Sequence, residues 1–329
     1  HWQRWLGKRS MSLAMDTAIS KGLDSEAGRQ YWLVSPKGSQ DSTTNYNYSR
    51  MRNLRSKKSD IHFWAFRNNA ENVRNQLKKY FSNKIELKKI VTTGDQKHDQ
   101  RLSEIGGKGL FSKQIEKDLL NKNIDIAVHA LKDMPTVETQ NLLTNNFLKR
   151  NSPNEILISR ENIKFEDLKP NSVIGTSSFR REYQLKKKRP NLKYKLIRGN
   201  VDTRIKKLEM GEYDAIVLSK AGIDVLNLQH KISQEFSIED VIPCAGQGII
   251  AIQCREDDTE IRELLENIND LNSRIIANAE REVLKILDGD CDTAVGVYAK
   301  IENGKVDLTT ELFSVDGKQR YFIKERSEI

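Results

Sequence analysis

Strand-length apolar runs that alternate with helix-period segments constrain this chain more than any other feature of its sequence. The runs are IDIAVHA at 124–130, SVIGTSS at 172–178, YKLIRG at 194–199 and YDAIVLS at 213–219. The first is apolar almost throughout, as expected of a strand covered on both faces. Around them, apolar side chains recur at helical spacing: Ala70, Val73, Leu77 and Phe81, then Ile115, Leu119 and Leu120. Ile85, Leu87, Ile90 and Val91 suggest another strand, and further helices follow residue 178 and run through Leu208. Alternation of this length predicts a parallel α/β sheet. From Ser273 the pattern changes to one long helix ending near Leu287. It is followed by VGVYAKI at 295–301, KVDLTTELFS at 305–314 and YFIKE at 321–325, which predicts a separate small α+β unit.

The 329 residues allow two or three domains at roughly 150 residues each. Apolar residues make up 37% and charged residues 31%, and the best apolar stretch, near 249–252, is far short of the ~20 residues a membrane span needs. No secretion signal is recognisable. Three cysteines without a CxxC pair, and five histidines without an HExxH, support neither a disulfide framework nor a metal site. A reducing compartment, the cytoplasm, is the simplest expectation. The net charge of +9 raises the question of nucleic acid, but residues 1–60 hold eleven basic side chains against five acidic ones. The remaining 269 residues therefore carry only +3. That first segment lacks a sustained period and reads as a tail, a processed segment or a boundary artefact. Asp16, Asp24 and Glu26 argue against a transit peptide.

Several motifs could carry chemistry. KDMP at 132–135 directly follows the run 124–130, and the carboxyl end of such a strand is where α/β folds place ligands. Asp133 is thus a candidate acid or base, although the tetrapeptide alone fits a plain turn as well. GTSSFRR at 175–181 ends one strand and opens a basic helix. There Thr176, Ser177 and Ser178 can cap the helix while Arg180 and Arg181 offer planar donors to an anion. RGNVDTR repeats the device with Arg198, a cap at Asn200 or Asp202, and Arg204. Cations at two helix starts oppose the helix dipole, which favours a functional reading of the pair. GGKGLF at 106–111 is a lid or a tight turn, with Lys108 as an anion contact. In PCAGQG at 243–248, Gln247 either lines a pocket or belongs to a hinge. Cys291, set among Asp288, Asp290 and Asp292, is a poor thiolate, so it reads as a structural cysteine or as a one-time covalent attachment point.

Taken in order, TTGD, GGKGLF with Lys113 and Glu116, DIAVHALKDMP, GTSSFRR, RGNVDTR, GEYDAIVL, AGQG, AER and DGDC resemble the hydroxymethylbilane synthase (porphobilinogen deaminase) family from about residue 69 to 325. The resemblance implies an α/β protein with two periplasmic-binding-protein-like lobes around a cleft, plus a small C-terminal α+β domain. It implies condensation of four porphobilinogens with loss of ammonia, primed by a dipyrromethane cofactor held as a thioether on Cys291. By the same resemblance Asp133 is the catalytic carboxylate, and Lys132, Thr176, Ser177, Ser178, Arg180, Arg181, Arg198 and Gln247 contact the cofactor. Lys108, Phe111 and Arg204 contact substrate. No metal is implied, and the expected state is a cytoplasmic monomer whose partner is porphobilinogen, without nucleic acid or membrane.

The implied domains are an irregular basic segment at 1–58, lobe one at 59–150 plus 247–268, lobe two at 151–246, and the attachment domain at 269–329. The chain departs from the family in places. An opening strand of GTRxSPLA type should fall near 55–66, where the chain reads RSKKSDIHFWAF. Ala130 and Glu155 stand where the family usually has Ser and Asp, and the terminal helix has no counterpart before Ile329. The expectation is a chain clipped or altered at both ends and less active for it. Two other readings remain at this point: a non-catalytic two-lobed anion-binding protein and, more weakly, a nucleic-acid binder.

Overall fold

The computed structural model of the chain describes residues 60–64, 67–88, 112–289 and 293–329. Two five-stranded sheets and one three-stranded sheet organise them. The first sheet contains β1 (Asp60–Trp64), β2 (Lys84–Leu87), β3 (Ile126–Ala130), β4 (Leu142–Phe147) and, much later in the chain, β10 (Ile250–Arg255). Its order is β2-β1-β3-β10-β4. The second contains β5 (Glu155–Ser159), β6 (Val173–Gly175), β7 (Lys193–Lys195), β8 (Ala215–Ser219) and β9 (Gln234–Glu235), in the order β7-β6-β8-β5-β9.

Neither sheet is purely parallel, which corrects the expectation from the alternating pattern. β1 pairs in parallel with β2 and β3, but β10 runs antiparallel to both β3 and β4. In the second sheet β6 is parallel to β7 and β8, whereas β5 is antiparallel to β8. The cause is the chain path. Each antiparallel strand is the one by which the chain enters a lobe from the other lobe, so no crossover helix fixes its direction.

Helices cover these sheets as their periodicity requires. On α1 (Arg67–Leu77), Ala70, Val73 and Leu77 are buried and share a core with Ile126, Val128 and Ile252 of the sheet and with Ile261 and Leu265 of α6 (Thr259–Glu266). α2 (Lys113–Leu120) buries Ile115 and Leu119 against Ala127 on the other face. The second lobe carries α3 (Phe179–Lys188), α4 (Val201–Glu209) and the short α5 (Lys220–Val225). Its sheet has core on both faces, with Leu157, Ile174 and Val217 on one and Ile156, Ile216 and Leu218 on the other.

The third unit is a long helix on an antiparallel meander, as the sequence pattern predicts. α7 (Leu271–Ile286) buries Ile275, Ala279 and Val283, spaced one turn apart, against β11 (Val295–Glu302) and β12 (Lys305–Phe313). β13 (Arg320–Glu328) completes the sheet. The β11–β12 turn is Asn303-Gly304, both with left-handed φ of 52° and 73°, closing on the pair Glu302↔Lys305. Asn-Gly is the dipeptide such a two-residue turn selects. The strand expected at the opening of lobe one does form, with Ile61 opposite Ile85 and Phe63 opposite Ile126. Among the described residues no helix is long and apolar enough to cross a membrane.

Candidate active site

The site forms where the carboxyl ends of β3, β6 and β8 meet between the lobes. β3 ends at Ala130 and gives way to a single 3-10 turn, Leu131–Asp133. Leu131 anchors that turn: it is buried, and its N–H donates to Ile249 O at 3.0 Å. A Cβ on Gly246 would lie 2.7 Å from Leu131 Cγ, so only glycine allows this approach. With Leu131 fixed inward, Lys132 and Asp133 project towards lobe two. Lys132 Nζ reaches across and donates to Ser219 Oγ at 3.3 Å.

Lobe two supplies the facing wall. A Cβ on Gly175 would come within 2.9 Å of Tyr213, which keeps the end of β6 tight against its neighbours. Beyond it, Thr176 Oγ1 accepts from Ser178 N at 3.1 Å, and Ser178 Oγ accepts from Arg181 N at 3.4 Å, capping α3 as its sequence predicts. Ser177 lies half-buried in the same turn. Arg198 and Arg204 flank the start of α4, where Arg204 Nε donates to Gly199 O at 2.7 Å. Asn200 occupies the cap position of α4 without a side-chain cap bond.

Electrostatics tie the two walls together. Asp133 keeps exposed surface yet is crowded by protein on its other sides, as a side chain projecting into a cleft must be. Loss of hydration pushes its carboxyl above the usual range, while Lys132, Arg204 and Arg181 pull it back down. Arg204 responds to the same neighbourhood. Burial, together with Arg181 and Arg198, pushes its guanidinium down to about 10, against the attraction of Asp133. Asp133 therefore stands among three cations, Lys132, Arg181 and Arg204, with Arg198 next to Arg204. The Nε of Arg181 is also buried without a hydrogen-bond partner. Such an arrangement is short of negative charge and can accept several carboxylates.

Two expected cofactor contacts have other employment in the structure. Arg180 is 3% exposed; its Nη1 donates to Ile242 O at 2.7 Å and its Nη2 to Glu155 Oε1 at 2.6 Å. It is a strut inside lobe two, and Arg181, one position on, faces the cleft region. Arg181 Nη2 pairs with the second oxygen of Glu155 at 2.8 Å, and its Nη1 donates to Val217 O at 3.2 Å. Gln247 is fully buried, and its Nε2 donates to Pro153 O at 2.6 Å, so it pins the two interlobe crossings to each other. Lys108, Phe111 and Cys291 lie outside the described residues, as do the motifs TTGD and GGKGLF.

Three residues that build the site have no role assigned from sequence alone. Glu155, at the start of the apolar run EILIS, is the buried counter-charge of both arginines. Its signal was a lone acid opening a strand that is otherwise apolar. Arg281, on α7, donates through Nη2 to Pro135 O at 2.6 Å, fastening the Asp133 turn to the helix that precedes Cys291 in sequence. Glu280 beside it pairs with Arg150 at 2.7 Å and accepts from Gly246 N at 2.6 Å and Ala299 N at 2.7 Å, docking the third unit on both crossings. Among the described residues no cluster of His, Cys, Asp and Glu could hold a metal ion.

A two-lobed α/β protein with a carboxylate opposite a cationic wall, and a third domain latched to that carboxylate's loop, is the class these features define. Residues 56–263 match the family description "Porphobilinogen deaminase, dipyromethane cofactor binding domain", and residues 275–329 match "Porphobilinogen deaminase, C-terminal domain". The chain belongs to the porphobilinogen deaminase family. It is 45% identical over 238 residues to the porphobilinogen deaminase of Geobacillus kaustophilus, covering 72% of this chain and 77% of that one. To that of Syntrophomonas wolfei it is 40% identical over 273 residues, 82% of this chain and 88% of the relative. Among solved structures it is similar to the VFT2 domain of BvgS from Bordetella pertussis, at a TM-score of 0.40 and 13% identity, covering 73% of this chain and 97% of that domain.

Proposed function

We propose that this chain is a hydroxymethylbilane synthase, joining four porphobilinogens head to tail with release of ammonia at each addition. The observation that carries the reading is Asp133 of lobe one set against Arg181 and Arg204 of lobe two. Porphobilinogen bears an acetate, a propionate and an aminomethyl group, so a growing chain of such units is a polyanion. The cationic wall suits it.

A dipyrromethane with its own carboxylates fits the same wall, because Arg181 keeps an unpartnered Nε and Arg204 is held down by burial and by the like charges of Arg181 and Arg198. Lys132, Arg181, Arg198 and Arg204, with the hydroxyls of Thr176, Ser177 and Ser178, would hold it, and Cys291 would anchor it as a thioether. When bound, the group supplies the nucleophilic pyrrole carbon from which the chain grows. The protein's own part falls to Asp133. Its carboxylate lies between the pull of three cations and the push of burial, so it can stabilise the positive charge that forms as ammonia departs and exchange a proton with the departing amine. The arginines neutralise the carboxylates without exchanging protons themselves.

The domains of this enzyme run 59–150 plus 247–268, 151–246 and 269–329, with a basic segment at 1–58. The grouping of β1–β4 with β10 in one sheet and of β5–β9 in the other supports that division. We place the enzyme in the cytoplasm as a monomer that acts on porphobilinogen without nucleic acid or membrane. Neither Cys244 nor Cys254 is joined in a disulfide, which agrees with a reducing compartment.

Intact-protein mass spectrometry tests the reading. The parent chain incubated with porphobilinogen should carry a covalent two-pyrrole adduct that Cys291→Ser lacks and that Cys244→Ser and Cys254→Ser keep. An unmodified parent that leaves porphobilinogen unconsumed would remove the proposal.

A further inference from the structure

We propose that Ser219 is a carboxylate-binding residue of the cleft, holding an acetate or propionate of a pyrrole jointly with Lys132; this rests on the cleft being the porphobilinogen site. Ser219 ends β8, which lies beside β6 and parallel to it, with Gly175 opposite Ile216. It therefore stands on the same rim as Thr176, Ser177 and Ser178. Its own position is rigid, because Ser219 pairs across β5 with Glu155, the residue that anchors Arg180 and Arg181.

The hydroxyl is suited to the task. Ser219 precedes α5, yet its side chain makes no cap bond to that helix. A hydroxyl has one proton to donate and two lone pairs. One lone pair takes Lys132 Nζ at 3.3 Å, which leaves the proton for an anion's oxygen. An ammonium is a compact charge with rotatable donors and gives a carboxylate little direction. A hydroxyl fixed on the facing lobe supplies that direction, so the two groups together grip one carboxylate from opposite sides of the cleft. Because each lobe contributes half of the grip, it is complete only at the lobe spacing seen here.

Ser219→Thr and Ser219→Val test this, since they differ in the hydroxyl and hardly in shape. Each is made alone and combined with Lys132→Met. Two quantities are followed: the rate at which the protein acquires its dipyrromethane, by intact mass, and the KM for porphobilinogen once loaded. The Thr variant should match the parent. The Val variant should lose about tenfold in one of the two, as removal of a hydrogen bond to a charged group does. Slower loading assigns the carboxylate to the cofactor, and a raised KM assigns it to the substrate. In the Lys132→Met background the Val change should cost little more, because the grip is already broken. Equal behaviour of Val and Thr, or Val and Met losses that simply add, would overturn the proposal. Failure of the Val protein alone to fold would also overturn it, by making the hydroxyl structural. A parent chain that neither loads nor consumes porphobilinogen would instead defeat the assignment of the cleft.

Discussion

Glu155 Oε1 accepts from Arg180 Nη2 at 2.6 Å with both side chains closed to solvent, while its other oxygen pairs with Arg181. Burial alone would raise the Glu155 carboxyl. Arg181 and Arg180 outweigh it and bring the group down to about 2. A carboxylate depressed in the folded state adds stability that is complete above its ordinary pKa of 4.5 and is lost as the pH falls towards about 2. Glu155→Gln should therefore lower unfolding stability by about 3–5 kcal/mol at pH 7. The gap between parent and variant in denaturant titrations should narrow at pH 3; a constant gap would show that the charge is not what matters.

Arg180→Leu is expected to act on the fold. It removes a buried partner of Glu155 and leaves Ile242 O with Gln184 Nε2 as its remaining donor. We expect a loss of about 3–5 kcal/mol in unfolding stability. Calorimetric melting checks it; an unchanged melting temperature together with weakened porphobilinogen binding would restore Arg180 as a ligand.

Asp133→Asn keeps the size of the side chain and removes its charge. Folding should survive, since Leu131 and not Asp133 anchors the turn. Porphobilinogen consumption should fall by about 10²-fold or more. Circular dichroism and ammonia release measured on one preparation separate the two effects, and near-parental turnover would defeat the catalytic assignment.

Arg204→Leu should move the acid limb of the pH–rate profile upward. Arg204 favours the charged form of Asp133, so its loss lets the carboxyl rise further above the usual range. The KM for porphobilinogen should also rise by roughly tenfold, as expected for a lost charge-assisted contact. Rate measurements from pH 5 to 8 would detect either change, and a limb moving downward would contradict the electrostatic account.

Much of this site was legible because local chemistry specifies it. The Ser178 cap, the strand-end position of Asp133 and the third unit's helix and strands follow from short-range patterns, and all appear. The crossing strands were not legible. β4 and β10 interrupt their apolar pattern with Thr144, Asn146, Gln253 and Arg255, all buried, and the direction of each strand depends on where the chain came from. Arg180 and Arg181 looked alike for a related reason. Neighbours on a helix point about 100° apart, yet both arginines pair with Glu155, which lies in another strand and far back in the sequence.

The contact at Gly248 sets a mechanical limit on the enzyme. A Cβ there would sit 2.6 Å from Asn151 O and 2.8 Å from Ser152 O, so the outgoing and returning strands of the interlobe link touch backbone to backbone. Gln247 bolts them together from the side. The link is thus closed at this point to any side chain larger than a hydrogen atom. Any larger residue at position 248 would therefore have to part the outgoing and returning segments of the link, and with them the spacing of the two walls of the site.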